Sequence, residues 1–277
     1  MGILNVTPDS FSDGGLYQVV DRAVAHGLAM REAGAAIIDV GGESTRPGAA
    51  PVSLDVELAR VIPVIQGLRE ADQDLVISVD TSKAEVARRA CLAGADVIND
   101  VTGLTGDPEM AAVVAETKAG IVIMHMRGIP STMQQSPDYE DVFADVRQFF
   151  ARQLEVARRA GIEEAQIVFD PGIGFGKNLD HNLALLRRLR ELADLNRPLM
   201  LGVSRKSLFG RLLGAGAADL PGLTAVCTGL ARSAGVLLHR VHDVRASLLA
   251  LRLAEAMLPG GNSIAPEQIG DTLGGPG

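Results

Sequence analysis

The chain has 277 residues, 47% hydrophobic and 22% charged, enough to bury a large core in one α/β domain or in two smaller ones. A net charge of −8 repels nucleic acid and anionic membrane on average, and 3% aromatics without a Trp argue against a binder that stacks on single strands. Cys91 and Cys227 each sit alone in Ala/Leu/Val-rich sequence, so they read as buried, reduced thiols with no disulfide or zinc role. No apolar run reaches membrane-spanning length, and the N-terminus lacks the basic-then-apolar layout of a signal peptide, which together predict a cytoplasmic protein.

In chain order, eight short apolar runs stand out: GILNV, AAIIDV, LVISVD, DVIND, GIVIMHM, IVFD, LMLGVS and LLHRV. Continuous Val/Ile/Leu runs of this length suit strands buried on both faces. The stretches between them carry helical spacing, clearest at Val142, Val146, Phe149, Phe150 and Leu154, with Asp145, Arg147 and Glu155 off the stripe. Gly marks the helix-to-strand returns, as in REAGAAIIDV and SAGVLLHRV, where a left-handed residue ends a helix at no steric cost. Eight strand-then-helix units predict a single-domain α/β protein, a closed (β/α)8 TIM barrel over residues 1–258, followed by a Gly/Pro-rich tail over 259–277. The alternative, an open doubly wound sheet, would place a GxGxxG fingerprint after the first strand, and none is there.

Polar clusters follow every run: Asn5 with TPDSFSDGG, Asp39 with GGESTRPGA, Asp80 and Thr81, Asn99 and Asp100, His125, Asp170 with PGIGFGKN, Ser204 to Ser207, and Arg240 to Asp243. Taken singly, an Asp after a strand is a helix N-cap, and Asp107 and Asp141 are read that way. Eight clusters on one rim of a barrel are a site, because that rim carries the chemistry of such folds. Asp80, Asp170 and Asn99 bring acceptors and one amide to the floor, suited to a planar nitrogen heterocycle whose amino-amidine edge offers parallel donors. Lys206 would meet the ring's own acceptors. Arg46, Arg240 and His242 form a cationic rim suited to phosphate oxygens, and Asn5 is a hard oxygen beside it, of the kind Mg2+ takes along with phosphate and water.

The segments ILNVTPDSFSDGG, DVGGESTRPGA, SVDTSK, VIND, MHMRGIP, FDPGIGFGKN, SRKS and RVHD resemble the signature segments of the dihydropteroate synthases, in identity, order and spacing from residue 2 to about residue 250. The resemblance implies a pterin-binding barrel that joins 6-hydroxymethyl-7,8-dihydropterin diphosphate to p-aminobenzoate with Mg2+ as cofactor. It implies that Asp80, Asn99, Asp170 and Lys206 hold the pterin, with Met124 and Arg240 packed on its faces. It further implies that Asn5 ligates Mg2+, that Arg46, Arg240 and His242 contact the diphosphate, that Thr45 and Ser207 hold the aminobenzoate carboxylate, and that Phe11, Pro47 and Phe175 wall its ring. Asn5, Arg46, Lys206, Arg240 and His242 are the residues expected to act on the reacting groups.

Sulfonamides, which mimic aminobenzoate, follow as competitive inhibitors. Family members pair through late helices, and LTAVCTGLARSAG is apolar nearly all round, so a homodimer is expected. Family barrels also carry residues before strand one that cover the barrel floor, whereas this sequence begins almost inside the strand. Three rivals remain at this stage: a methyltetrahydrofolate-dependent corrinoid methyltransferase, which has no use for ESTRPG or SRKS; a Schiff-base aldolase using Lys206; and a non-catalytic pterin-binding protein.

Overall fold

A computed structural model describes residues 1–7, 16–44, 48–128, 133 and 137–258, with backbone alone at 16 and 17. The tail expected over 259–277 lies outside these residues. The eight apolar runs form strands β1 (Gly2–Asn5), β2 (Ile37–Gly41), β3 (Val76–Asp80), β4 (Val97–Asp100), β5 (Gly120–Met124), β6 (Ile167–Asp170), β7 (Met200–Leu201) and β8 (Leu238–His239). All are parallel, and the first six pair in sequence order, which is barrel topology and excludes the doubly wound alternative.

Two seams close the cylinder. Phe169 bridges to Leu199 beside β7, and Gly2 bridges to Val241 beyond β8, where Ile3 N donates to Val241 O at 3.0 Å and Val241 N donates to Met1 O at 3.0 Å. Strands β7 and β8 are shorter than their runs promised, because chain after Leu201 and His239 leaves ladder geometry to present polar side chains at the rim.

Helices follow the strands: α1 (Leu16–Glu32), α2 (Leu54–Ala71), α3 (Ala84–Leu92), α4 (Met110–Thr117), α5 (Val142–Ala160), α6 (Leu179–Arg187), α7 (Leu189–Ala193), α8 (Leu208–Leu213), α9 (Leu220–Ser233) and α10 (Val244–Met257). The stripe read from the sequence is the buried face of α5, whose Val142, Val146, Phe149 and Phe150 pack inward while Leu154 is half-buried. Phe150 stacks on Phe169 of β6 with ring centroids 4.2 Å apart, which seats α5 on the barrel wall. Asp141 caps α5, accepting from Phe143 N at 2.9 Å and Ala144 N at 3.1 Å, and Gly161 ends it at φ 86°. Asp107 accepts from Glu109 N at 3.0 Å in the turn that enters α4, as a cap does. It also accepts from Ala84 N at 2.9 Å, the first residue of α3, and so ties two barrel units together. Cys91 and Cys227 are free and half-buried, a little more open than the sequence implied.

Candidate active site

Strand register gathers the site. Cα partners run Asn5–Gly41–Asp80–Asn99 across β1 to β4, and Met124 lies beside Asp170 across β5 and β6. Residues side by side in parallel strands point the same way, so four polar side chains and one Met reach the same mouth. Gly41 sits between two of them. A Cβ there would lie in ordinary contact with both, 3.5 Å from the Asp80 Cβ and 3.8 Å from Asn5 Oδ1.

The floor is organised by Arg240, which follows β8. Its Nε donates to Asp39 Oδ2 at 2.6 Å and its Nη2 to Asp80 Oδ2 at 2.6 Å. Asn99 Nδ2 donates to the same Asp39 oxygen at 3.1 Å, leaving the Asn99 carbonyl oxygen for another partner. Burial opposes the Arg240 charge, but the carboxylates of Asp39 and Asp80 more than offset it and hold its pKa above the ordinary guanidinium value. Burial pushes the Asp80 carboxyl up to about 7; Arg240 pulls it down, and the charge of Asp39 pushes it further up. Asp39 itself is fully buried, and its Oδ1 has no hydrogen-bond partner.

Asp170 closes β6. Its Oδ1 accepts from Gly172 N at 2.7 Å, and burial raises its pKa against the opposing charge of Lys206. Gly202, on the β7 side, stands next to both Asp170 and Arg240: a Cβ there would lie 3.8 Å from the Arg240 Cβ and 4.0 Å from Asp170 Oδ2. Met124 is buried under this corner. Lys206 donates from Nζ to Ile173 O and lies 4.5 Å above the Phe175 ring centroid. Burial lowers its pKa to about 8, with Asp170 opposing. Arg205, next to Lys206 in sequence, turns outward and pairs with Asp243 at 2.8 Å.

His242 stands at the rim with Nδ1 3.0 Å from Ser204 Oγ, and its backbone N donates to the same oxygen at 3.1 Å. Ser207 is exposed at the start of α8, and Phe175 is half-buried at the lip. Lys83 pairs with Glu43 and, at 2.5 Å, with buried Glu57, fixing the base of the β2 loop. Phe11, Thr45, Arg46 and Pro47 lie outside the described residues. Among the described residues no cluster of three His, Cys, Asp or Glu side chains could hold a metal. A single amide oxygen, Asn5 Oδ1 at the end of β1 beside Gly41, fits a cation that draws its other ligands from substrate phosphate and water.

Sequence reasoning placed Asp39 and Ser204 at the rim without giving them roles, and overlooked Lys177. An acid inside the apolar run AAIIDV was the available signal for the first. His125 and Asp100 are structural. The His125 ring is buried edge-on to Phe149 at 5.0 Å, and Asp100 folds its own loop by accepting from Thr102 N at 2.8 Å and Leu104 N at 2.7 Å.

The pterin binding enzyme family matches residues 1–242 of the chain. Dihydropteroate synthase of Escherichia coli K12 is 49% identical over 258 residues, covering 93% of this chain and 91% of its own length. That of Mycobacterium leprae is 47% identical over 271 residues, covering 95% of each. Among solved structures, Yersinia pestis dihydropteroate synthase with a sulfonamide drug complex superposes with TM-score 0.86 at 46% identity, covering 92% of each chain. The Xanthomonas albilineans protein in complex with 7,8-dihydropteroate gives 0.84 at 42% identity, covering 94% of each. With this likeness spanning the barrel and every described signature segment, the chain belongs to the dihydropteroate synthase family of pterin-binding enzymes.

Proposed function

We infer that this barrel condenses 6-hydroxymethyl-7,8-dihydropterin diphosphate with p-aminobenzoate, releasing 7,8-dihydropteroate and diphosphate. The observation that carries the reading is the floor itself: Arg240 shared between Asp39 and Asp80, with Asn99 hydrogen-bonded to the same Asp39 oxygen and Asp170 and Lys206 beside it. A flat heterocycle lies against that floor. Its donors meet Asp170 and Asp80, its acceptors meet Lys206, and Met124 and Arg240 take its faces. The Xanthomonas albilineans relative holding 7,8-dihydropteroate supports this assignment, as does the same species' relative with 4-aminobenzoic acid.

The C–O bond from the pterin methylene to the diphosphate breaks with its electron pair on the leaving oxygen. The aniline nitrogen bonds to the methylene and gives up a proton. Arg240, His242 and, from its signature position, Arg46 stabilise the charge gathering on the diphosphate. The electron-rich pterin spreads positive charge on the methylene, which favours a dissociative step, and no protein nucleophile is required. Mg2+, held through Asn5, supplies neutralisation of the diphosphate when bound. Phe175, with Phe11 and Pro47 by resemblance, walls the aminobenzoate ring, and Ser207, with Thr45 by resemblance, holds its carboxylate. Sulfonamides would compete there; the Yersinia pestis relative is named for a sulfonamide complex.

A homodimer through α9 and α10 is part of the same reading. Val226 and Leu230 on α9 and Leu249, Leu253 and Met257 on α10 are 50–77% exposed at four-residue spacing. The two helices lie close enough that a Cβ at Gly229 would sit 3.3 Å from Ala250 O, so the stripes form one apolar face. No described helix is long and apolar enough to cross a membrane, and the two free cysteines favour the cytoplasm.

Diphosphate release measured with both substrates, with and without Mg2+, tests the function. Release matched by dihydropteroate and abolished by omitting either substrate is expected. Pterin binding by calorimetry without release would instead support a non-catalytic pterin-binding protein.

A further inference from the structure

Lys177 has no part in the chemistry above, yet it is among the largest fully buried side chains, only 1% exposed. Its Nζ donates to His125 O at 3.2 Å, Gly172 O at 3.0 Å and Phe175 O at 3.0 Å. An ammonium has three protons, and three backbone carbonyls take them. Burial draws its pKa down to about 7, the Asp170 charge opposes that, and the carbonyl acceptors favour the charged form. An apolar side chain would fill this space without the cost of burying a cation, so packing alone does not call for a lysine.

What the ammonium holds is the loop over 171–176, wound on the end of β5. The part of it between the two loop carbonyls touches or carries three site residues. Gly172 N holds Asp170 Oδ1 at 2.7 Å, Ile173 O receives Lys206 Nζ, and the Phe175 ring lies beneath the Lys206 ammonium. Phe175 N donates to Gly172 O at 3.0 Å, so the turn closes around the same carbonyl that Lys177 binds. We propose that Lys177 is a positioning residue for the condensation: its ammonium fixes the 171–176 loop so that Asp170, Lys206 and Phe175 face the two substrates together. The inference rests on the condensation reading given above.

Kinetics of Lys177→Met, alone and combined with Phe175→Ala, test it on the full chain. The single variant, folded by circular dichroism, is expected to raise the aminobenzoate KM about tenfold, with kcat falling less. On the Phe175→Ala background the same change should add less than about twofold, because the loop is already uncoupled from its ring. Unchanged kinetic constants per folded site, or full additivity, would overturn the proposal. Unaltered protein without diphosphate release would sink the condensation reading instead. Should the Met variant not fold, Lys177→Gln, which keeps a side-chain N–H donor, takes its place. Protein labelled with 15N-lysine needs no variant. Its buried Nζ should show slowly exchanging protons and shift as pterin and then aminobenzoate bind. A fast-exchanging Nζ, or one unmoved by both ligands, counts against the role.

Discussion

Arg240 divides its guanidinium between two buried acids, so the charge of each acid is felt by the other. Replacing Asp39 with Asn removes one negative charge and leaves one geometry. Stability in urea melts is expected to fall by about 1–3 kcal/mol. The acid limb of pterin binding should move to lower pH, because the Asp39 charge is one of the causes holding Asp80 up near 7. An unmoved limb would show that the two carboxylates act independently. His125 offers a second test away from the substrates. Burial, then the nearby Lys177 charge, lowers its pKa to about 3, whereas the unfolded chain protonates it near 6.5. The neutral ring therefore contributes stability that is present above pH 6.5 and lost as pH falls towards 3. At pH 5 the loss is about 2 kcal/mol, and His125→Gln should flatten the slope of urea midpoint against pH between 5 and 7. Most acids and cations of the floor were readable one by one, since each ends or follows an apolar run. Their partners were not. Arg240 and Asp39 stand 201 positions apart, and only barrel closure brings them into contact.

At the scale of elements, the strands were legible because both of their faces are buried, which leaves uninterrupted Val and Ile in the sequence. The short length of β7 and β8 was not, although their runs were, because the chain leaves the ladder where polar side chains reach the rim; the short helix α7 was not separated from α6 either. Helix α9 showed its apolar excess in sequence but hid its companion; the α10 stripe completes the face. Arg232 of α9 pairs with Glu255 of α10 at 3.0 Å, holding the two stripes level. Leu230→Glu with Leu253→Glu is expected to convert a dimer to a monomer by light scattering at micromolar concentration, with far-ultraviolet circular dichroism unchanged. A monomeric unaltered protein would remove this face from consideration as a subunit contact.

For the whole molecule, closure is uneven. Pairs β2–β3, β4–β5 and β5–β6 share four or five residue partners each, whereas β7 meets β8 through two and each flanking seam through one bridge. Amides at the seam, such as Leu238 N and Ile3 N, should exchange with deuterium faster than those of β3 and β4, and substrates bound across Arg240 and Asp170 should slow them. Uniform protection around the barrel would contradict this. The loops after β5 and β6 behave differently from that seam. A side chain at Gly172 would collide with His125 O, one at Gly176 would collide with Arg127 O, and Tyr139 Oη donates to Gly176 O at 3.0 Å. This arc of the mouth is written in main-chain atoms. A lineage pressed to admit a new second substrate, or to escape an inhibitor, therefore has no small step to take at Gly172 or Gly176: its adaptive substitutions enter at side chains such as Phe175 or elsewhere on the rim.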